Sequence, residues 1–132
     1  MDMPTDDAPR AAAIDSPFTV EAIRALYRGG KVRAAEVVRT AYERIRRDNR
    51  PGVWIALRPE SEAIVLAERL PPAASTELPL YGIPFAVKDN IDVSGLATTA
   101  ACPAFAHNPA ASAESVRRLE DLSRIRITTF SP

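Results

Sequence analysis

Much of what this sequence says first is said by scarcity. It has one cysteine, Cys102, so it can form no internal disulfide and suits a reducing compartment. It has one histidine, His107, and with a single Cys beside a single His a structural zinc site is implausible. No apolar run approaches the roughly 18 residues of a membrane helix. Residues 1–18 carry Asp2, Asp6, Asp7 and three prolines, without a basic start or an apolar core, so they are not a secretory signal. There is no excess of either charge. Lys+Arg and Asp+Glu both number 17, which leaves no overall field to draw in nucleic acid or an anionic membrane. Lysine is scarce too: 15 of the basic residues are Arg, and only Lys31 and Lys88 are Lys.

What remains is enough for one small domain of 132 residues, 46% hydrophobic. Residues 1–18 are polar and proline-bearing and are expected to be a disordered leader. Thr19 is placed to cap a helix with Val20, Ile23, Leu26 and Tyr27 at helical spacing, ended by Gly29-Gly30. A second helix is expected over 34–47, with an apolar stripe of Val38, Ala41, Tyr42 and Ile45. Asn49 to Gly52 reads as a turn, and 53–57 as a short buried strand. Pro59 suits the first turn of a third helix, with Ala63, Leu66, Ala67 and Leu70 on one face, stopped by Pro71-Pro72. A loop leads to a strand ending at Lys88, and Ser112 or Ser115 is expected to start a last helix containing Val116 and Leu119. This order predicts an α/β layered fold.

Lys88 closes the apolar run Ile83-Pro84-Phe85-Ala86-Val87 and is followed by Asp89 and Asn90. A protein that fills its basic positions with Arg has put at this strand end the one cation that can lose its proton when desolvated. Proton transfer is the chemical reading; a strand-end lysine reaching for water is the plain one.

The block from Gly82 to Thr99, with Val87-Lys88-Asp89-Asn90 and Gly95-Leu96-Ala97-Thr98-Thr99, resembles the amidase signature family around its catalytic lysine. Pro51-Gly52-Val53-Trp54-Ile55 and Ala100-Ala101-Cys102-Pro103-Ala104-Phe105-Ala106 look like its allophanate hydrolase branch. The resemblance runs from about Thr19 to about Glu120. It implies the N-terminal part of an α/β/α sandwich around a mixed sheet, incomplete in this sequence. It also implies cleavage of C–N amide bonds, most similarly allophanate hydrolysis to ammonia and carbon dioxide in urea degradation. No cofactor or metal is implied. The substrate is a small amide, the location cytoplasmic, and the full-length relative admits a homodimer. Lys88 takes the role of catalytic base. Asn90, Thr98 and Thr99 are weaker candidates for lining the substrate cavity or supporting the loop.

In the family the lysine acts through a serine in a cis peptide upon a nucleophilic serine. Both sit in a glycine- and serine-rich segment, and the five glycines here, at 29, 30, 52, 82 and 95, form no such run. A lysine alone supplies neither an acyl acceptor nor an oxyanion hole. The chain by itself is therefore expected to be inactive, and a non-catalytic remnant or interaction module is the alternative reading. Beyond Glu120 the family continues with an Ala/Gly-containing turn and an apolar strand. This sequence instead reads Ser123-Arg124-Ile125-Arg126-Ile127, so 122–132 is expected to be a tail divergent in residue identity, whose alternating Arg and Ile still allow a strand with one polar face; without the family's later elements the strands at 53–57 and 83–87 are expected to have exposed edges and faces.

Other groups have plainer readings. Cys102 and His107 lie five residues apart without forming a catalytic dyad by sequence proximity; Cys102 reads as a packed side chain and His107 as a surface one. Asp89 and Asp92 have the spacing of a weak metal pair, but turn hydrogen bonding suits them better. Arg44, Arg46, Arg47 and Arg50 are interrupted by Glu43 and Asp48 and suit a helix C-terminus more than a nucleic acid.

Overall fold

A computed structural model describes Ile14 and residues 17–130. Three helices come first around one apolar cluster. Helix α1 (Val20–Arg28) starts where the Thr19 hydroxyl accepts from Ala22 N at 3.2 Å. It buries Ile23 and Tyr27 and leaves Val20 exposed. Helix α2 (Ala34–Asp48) buries Val37, Val38, Ala41 and Tyr42. Its first turn is closed by Arg33 N donating to the Glu36 carboxylate at 2.6 Å. Asn49 ends it in the left-handed region at φ 42°. Helix α3 (Glu60–Glu68) presents Ala63 and Ala67 to the same cluster. It is two residues shorter than the apolar spacing suggests. Leu70 precedes Pro71, and the residue before a proline is pushed out of the helical region.

The leader does not end cleanly at Phe18. Ile14 is buried in the α1–α3 cluster, its carbonyl accepting from Arg44 at 2.6 Å. Phe18 packs on the same cluster beneath the Arg44 guanidinium. Those two apolar side chains bring the packed chain further upstream than the polar composition around them implies. The rest of the expected leader lies outside the described residues.

The sheet has three strands: β1 (Trp54–Leu57), β2 (Phe85–Lys88) and β3 (Arg126–Phe130), in the order β1-β3-β2. β3 runs antiparallel to β1, with Trp54 opposite Phe130, and parallel to β2, with Lys88 opposite Phe130. The break placed at 121/122 falls inside helix α4 (Glu114–Ser123). The residues beyond α4 form the strand that their alternating Arg and Ile allow, and they pair both earlier strands, because a strand needs backbone partners whatever its side-chain identities.

β1 is not a buried strand either. It lies at the sheet edge, with Ile55 43% and Leu57 40% exposed on alternating positions. Neither Ser112 nor Ser115 caps α4; Ala113 holds the N-cap position, and Ser112 instead accepts from Ser94 N at 2.9 Å.

A second, smaller cluster joins β2 to α4 through Val87, Val93 and Val116. Two close approaches tie it to the first. Gly82, at φ +62°, brings its backbone against the ring of Tyr27, whose hydroxyl donates to Gly82 O at 2.8 Å. Ser123, buried at the end of α4, donates to Ile83 O and accepts from Ile125 N at 3.2 Å. Phe85 N then donates to Ile125 O, and the strand ending at Lys88 begins in register with β3.

Candidate active site

Lys88 is the last residue of β2 and is half-buried. Ile83 and Val87 of the preceding apolar run are buried, whereas Pro84, Phe85 and Ala86 are half-buried, so the apolar cover before the lysine is partial. The chain turns sharply after it: Ile91 N donates to Lys88 O at 2.9 Å. Among the described residues Lys88 makes no ion pair.

Asp89 is 1% exposed, and its carboxylate is fully engaged. Oδ1 accepts from Thr99 N at 3.1 Å, and Oδ2 accepts from the Thr99 hydroxyl and from Ala101 N at 3.3 Å. Its main-chain carbonyl accepts from Ala100 N at 3.0 Å. Burial pushes the Asp89 carboxyl up, but the Thr99 hydroxyl, Thr99 N–H and Ala101 N–H outweigh it and hold the group below the usual carboxylate range. The residues so gripped are strained. Ala100 and Ala101 are consecutive alanines at φ +48° and +60°. An L-residue with a Cβ pays for that region in energy, so surrounding contacts must impose it.

A second junction braces the same loop. Asp92 Oδ1 accepts from the Thr98 hydroxyl at 2.8 Å and lies 2.8 Å from His107 Nε2. These two contacts, Thr98 first, hold the Asp92 carboxyl below its ordinary value. Thr98 and His107 also exchange both backbone hydrogen bonds, at 2.9 and 3.0 Å.

The expected site residues are thus brought together unevenly. Thr98 and Thr99 sit in one loop beside Lys88, with both hydroxyls spent on Asp92 and Asp89. Asn90 is exposed. Asp89 and Asp92 take hydrogen bonds within the loop, and no group of three or more His, Cys, Asp or Glu among the described residues is placed to hold a metal ion. Cys102 is half-buried at the start of a short 3-10 turn. His107, 57% exposed at its side chain, is more than the surface residue expected, because it closes the Asp92 junction. Its being the sole histidine, near an aspartate, was the only signal available.

Backbone donors in this loop are equally committed. The N–H groups of Thr98, Thr99, Ala100, Ala101 and Cys102 all bond internally, Cys102 N to Thr99 O at 2.8 Å. None is left to stabilise an oxyanion. A groove of about 640 Å³ lies elsewhere, between Tyr27, Arg33, Ala67, Leu70, Pro72 and Tyr81, and no residue of 88–113 lines it.

The sequence profile of the Amidase family matches residues 36–128. The chain belongs to the Amidase family. Urea amidolyase of Lachancea kluyveri is 56% identical over 55 residues, which is 42% of this chain and 3% of that protein. Urea amidolyase of Saccharomyces cerevisiae is 45% identical over 73 residues, covering 54% of this chain and 4% of the relative. The solved structure of Kluyveromyces lactis allophanate hydrolase superposes with a TM-score of 0.62 at 29% identity, over 85% of this chain and 19% of that one. The chain therefore spans less than a quarter of the length of each. The sheet and helices described above are part of the amidase fold. No helix among the described residues is long and apolar enough to cross a membrane.

Proposed function

We propose that this chain is the lysine-bearing part of an amidase that hydrolyses allophanate to ammonia and carbon dioxide in urea degradation, in the cytoplasm, with Lys88 as the base. The observation that carries the reading is the place of Lys88. It is a half-buried lysine without an acidic partner among the described residues, at the end of β2, and its neighbour Asp89 is turned to the loop. The likeness to urea amidolyase and allophanate hydrolase supports the choice of substrate.

The chemistry follows from the charge states. As the base, Lys88 Nζ accepts the proton of a serine hydroxyl, and that serine in turn takes the proton of the nucleophilic serine. The nucleophile's oxygen bonds to the substrate carbonyl carbon, the C–N bond breaks as the same relay returns a proton to the departing ammonia, and water then hydrolyses the acyl-serine. Both serines, and the oxyanion donors, are supplied by a segment other than residues 1–132. The 98–102 loop has no free backbone donor to offer. That same observation is what favours the non-catalytic alternative, in which the chain only packs against a complete amidase.

The test is a chimera in which residues 36–128 replace the matching part of K. lactis allophanate hydrolase. Ammonia release from allophanate, abolished by Lys88→Ala and kept by Arg69→Ala at an exposed position of the same exchanged segment, supports the reading. A folded chimera equally active with Lys88→Ala sinks the assignment of the base. A chimera that hydrolyses other small amides but not allophanate sinks the substrate.

A further inference from the structure

The four bonds around Asp89 do more than close a loop. They converge on the residue directly after Lys88: three donors on the carboxylate, one on the main-chain carbonyl, all from 99–101. On its other side Lys88 is held by parallel pairing to β3. The lysine backbone is therefore clamped from two directions, and one of the two clamps is built on a pair of alanines in the left-handed region. Backbone that is unfavourable by itself persists only where its contacts over-determine it. Here the Asp89 carboxylate is the group that does so, since it takes the N–H on either side of Ala100.

We infer that Asp89 is a positioning residue for Lys88: its buried carboxylate pins the 99–101 turn against the end of β2 and so fixes how Lys88 leaves the strand. The alternative is that a nearby negative charge simply favours the ammonium. Geometry argues against it. The carboxylate is occupied by Thr99 and Ala101, and Lys88 lies beyond ion-pair distance. The consequence for catalysis rests on the proposed role of Lys88, whereas the clamp itself does not.

The scarcity of lysine makes the test direct. Reductive methylation of the 132-residue chain with ¹³C-formaldehyde labels Lys31, Lys88 and the terminal amine, and Lys31→Arg and Lys88→Arg assign the signals. The dimethyl-lysine resonances are then recorded at one fixed pH in the parent chain, in Asp89→Asn, and in Thr99→Val, which removes a donor but keeps the charge. Positioning predicts that both variants move the Lys88 resonance, while the Lys31 resonance stays put. A shift in Asp89→Asn alone means that the carboxylate acts through its charge, and overturns the inference. No shift in either, with faster exchange of the Thr99 and Ala101 amides, reduces the clamp to a structural brace and overturns it too. If Asp89→Asn fails to fold, the milder Thr99→Val decides the outcome. An unmoved Lys88 signal leaves the chimera result untouched, and an active Lys88→Ala chimera leaves the clamp untouched, so the two readings fail separately.

Discussion

The hydroxyl of Tyr27 and the carbonyl of Gly82 meet at 2.8 Å, joining α1 to the segment that leads into the Lys88 strand. A Cβ on Gly82 would overlap the Tyr27 hydroxyl, and the φ of +62° disfavours any L-residue as well. Gly82→Ala is expected to destabilise the chain by about 2–4 kcal/mol, combining backbone strain with displacement of a buried hydrogen bond. Tyr27→Phe, which keeps the ring, costs about 1 kcal/mol. Urea unfolding of the two variants measures the difference; equal losses would mean that the glycine is not required for the approach.

Arg124 ends α4 at φ +69°, a position that glycine fills without strain. Arg124→Gly is expected to stabilise the chain by about 1 kcal/mol, because Arg124 is exposed and relief of strain outweighs the added freedom of the unfolded chain. A lower urea midpoint in the variant would contradict this.

Ser123→Ala acts in the opposite sense one residue earlier. It leaves Ile125 N and Ile83 O without their buried partner, a loss of about 1–3 kcal/mol. Ser123→Cys, of similar size but with a weak donor, should fall between the two in thermal unfolding.

Stability should fall at both ends of the pH scale for identifiable reasons. The Asp89 carboxyl is lower in the folded state than its ordinary value of about 3.9. Between those values the unfolded chain binds more protons than the folded one. The contribution of Asp89 is therefore complete above pH of about 4 and is lost as pH drops through the folded value. Asp89→Asn should flatten the acid limb of a stability–pH curve. At the other end, burial pushes the Tyr42 hydroxyl, which donates to Arg58 O at 2.7 Å, up to about 12. Its contribution is complete below the ordinary value of about 10 and is lost as pH rises through 12. Tyr42→Phe should remove that part of the alkaline loss.

Much of the fold was legible because it is local. Thr19, Gly29 and the stripe of α2 fixed two helices from side-chain spacing alone. The strand ending at Lys88 was legible for the same reason. What was not legible depends on partners distant in sequence. Nothing in Arg126-Ile127-Thr128 says that these residues lie between β1 and β2, since pairing is made by backbone groups common to every sequence. The site divides in the same way. Lys88 stood out by its rarity, and Asp89 read as a group that takes hydrogen bonds within a turn. Its actual partners, Thr99 and Ala101, are ten and twelve positions away. The left-handed Ala100 and Ala101 carry no warning either, because nothing in alanine favours that conformation, unlike glycine or asparagine.

The order β1-β3-β2 gives the chain a sequence in time as well as in space. β1 and β2 never touch as neighbours; each waits for β3, which is synthesised after α4. As the chain leaves the ribosome, the α1–α3 cluster can consolidate from nearby contacts. The sheet must close loops of roughly 75 and 40 residues at a single late step. Lys88 lies at the end of one of the strands that wait. The strand that carries Lys88 is paired only once β3 has been made, and any delay at β3 leaves two open strands exposed.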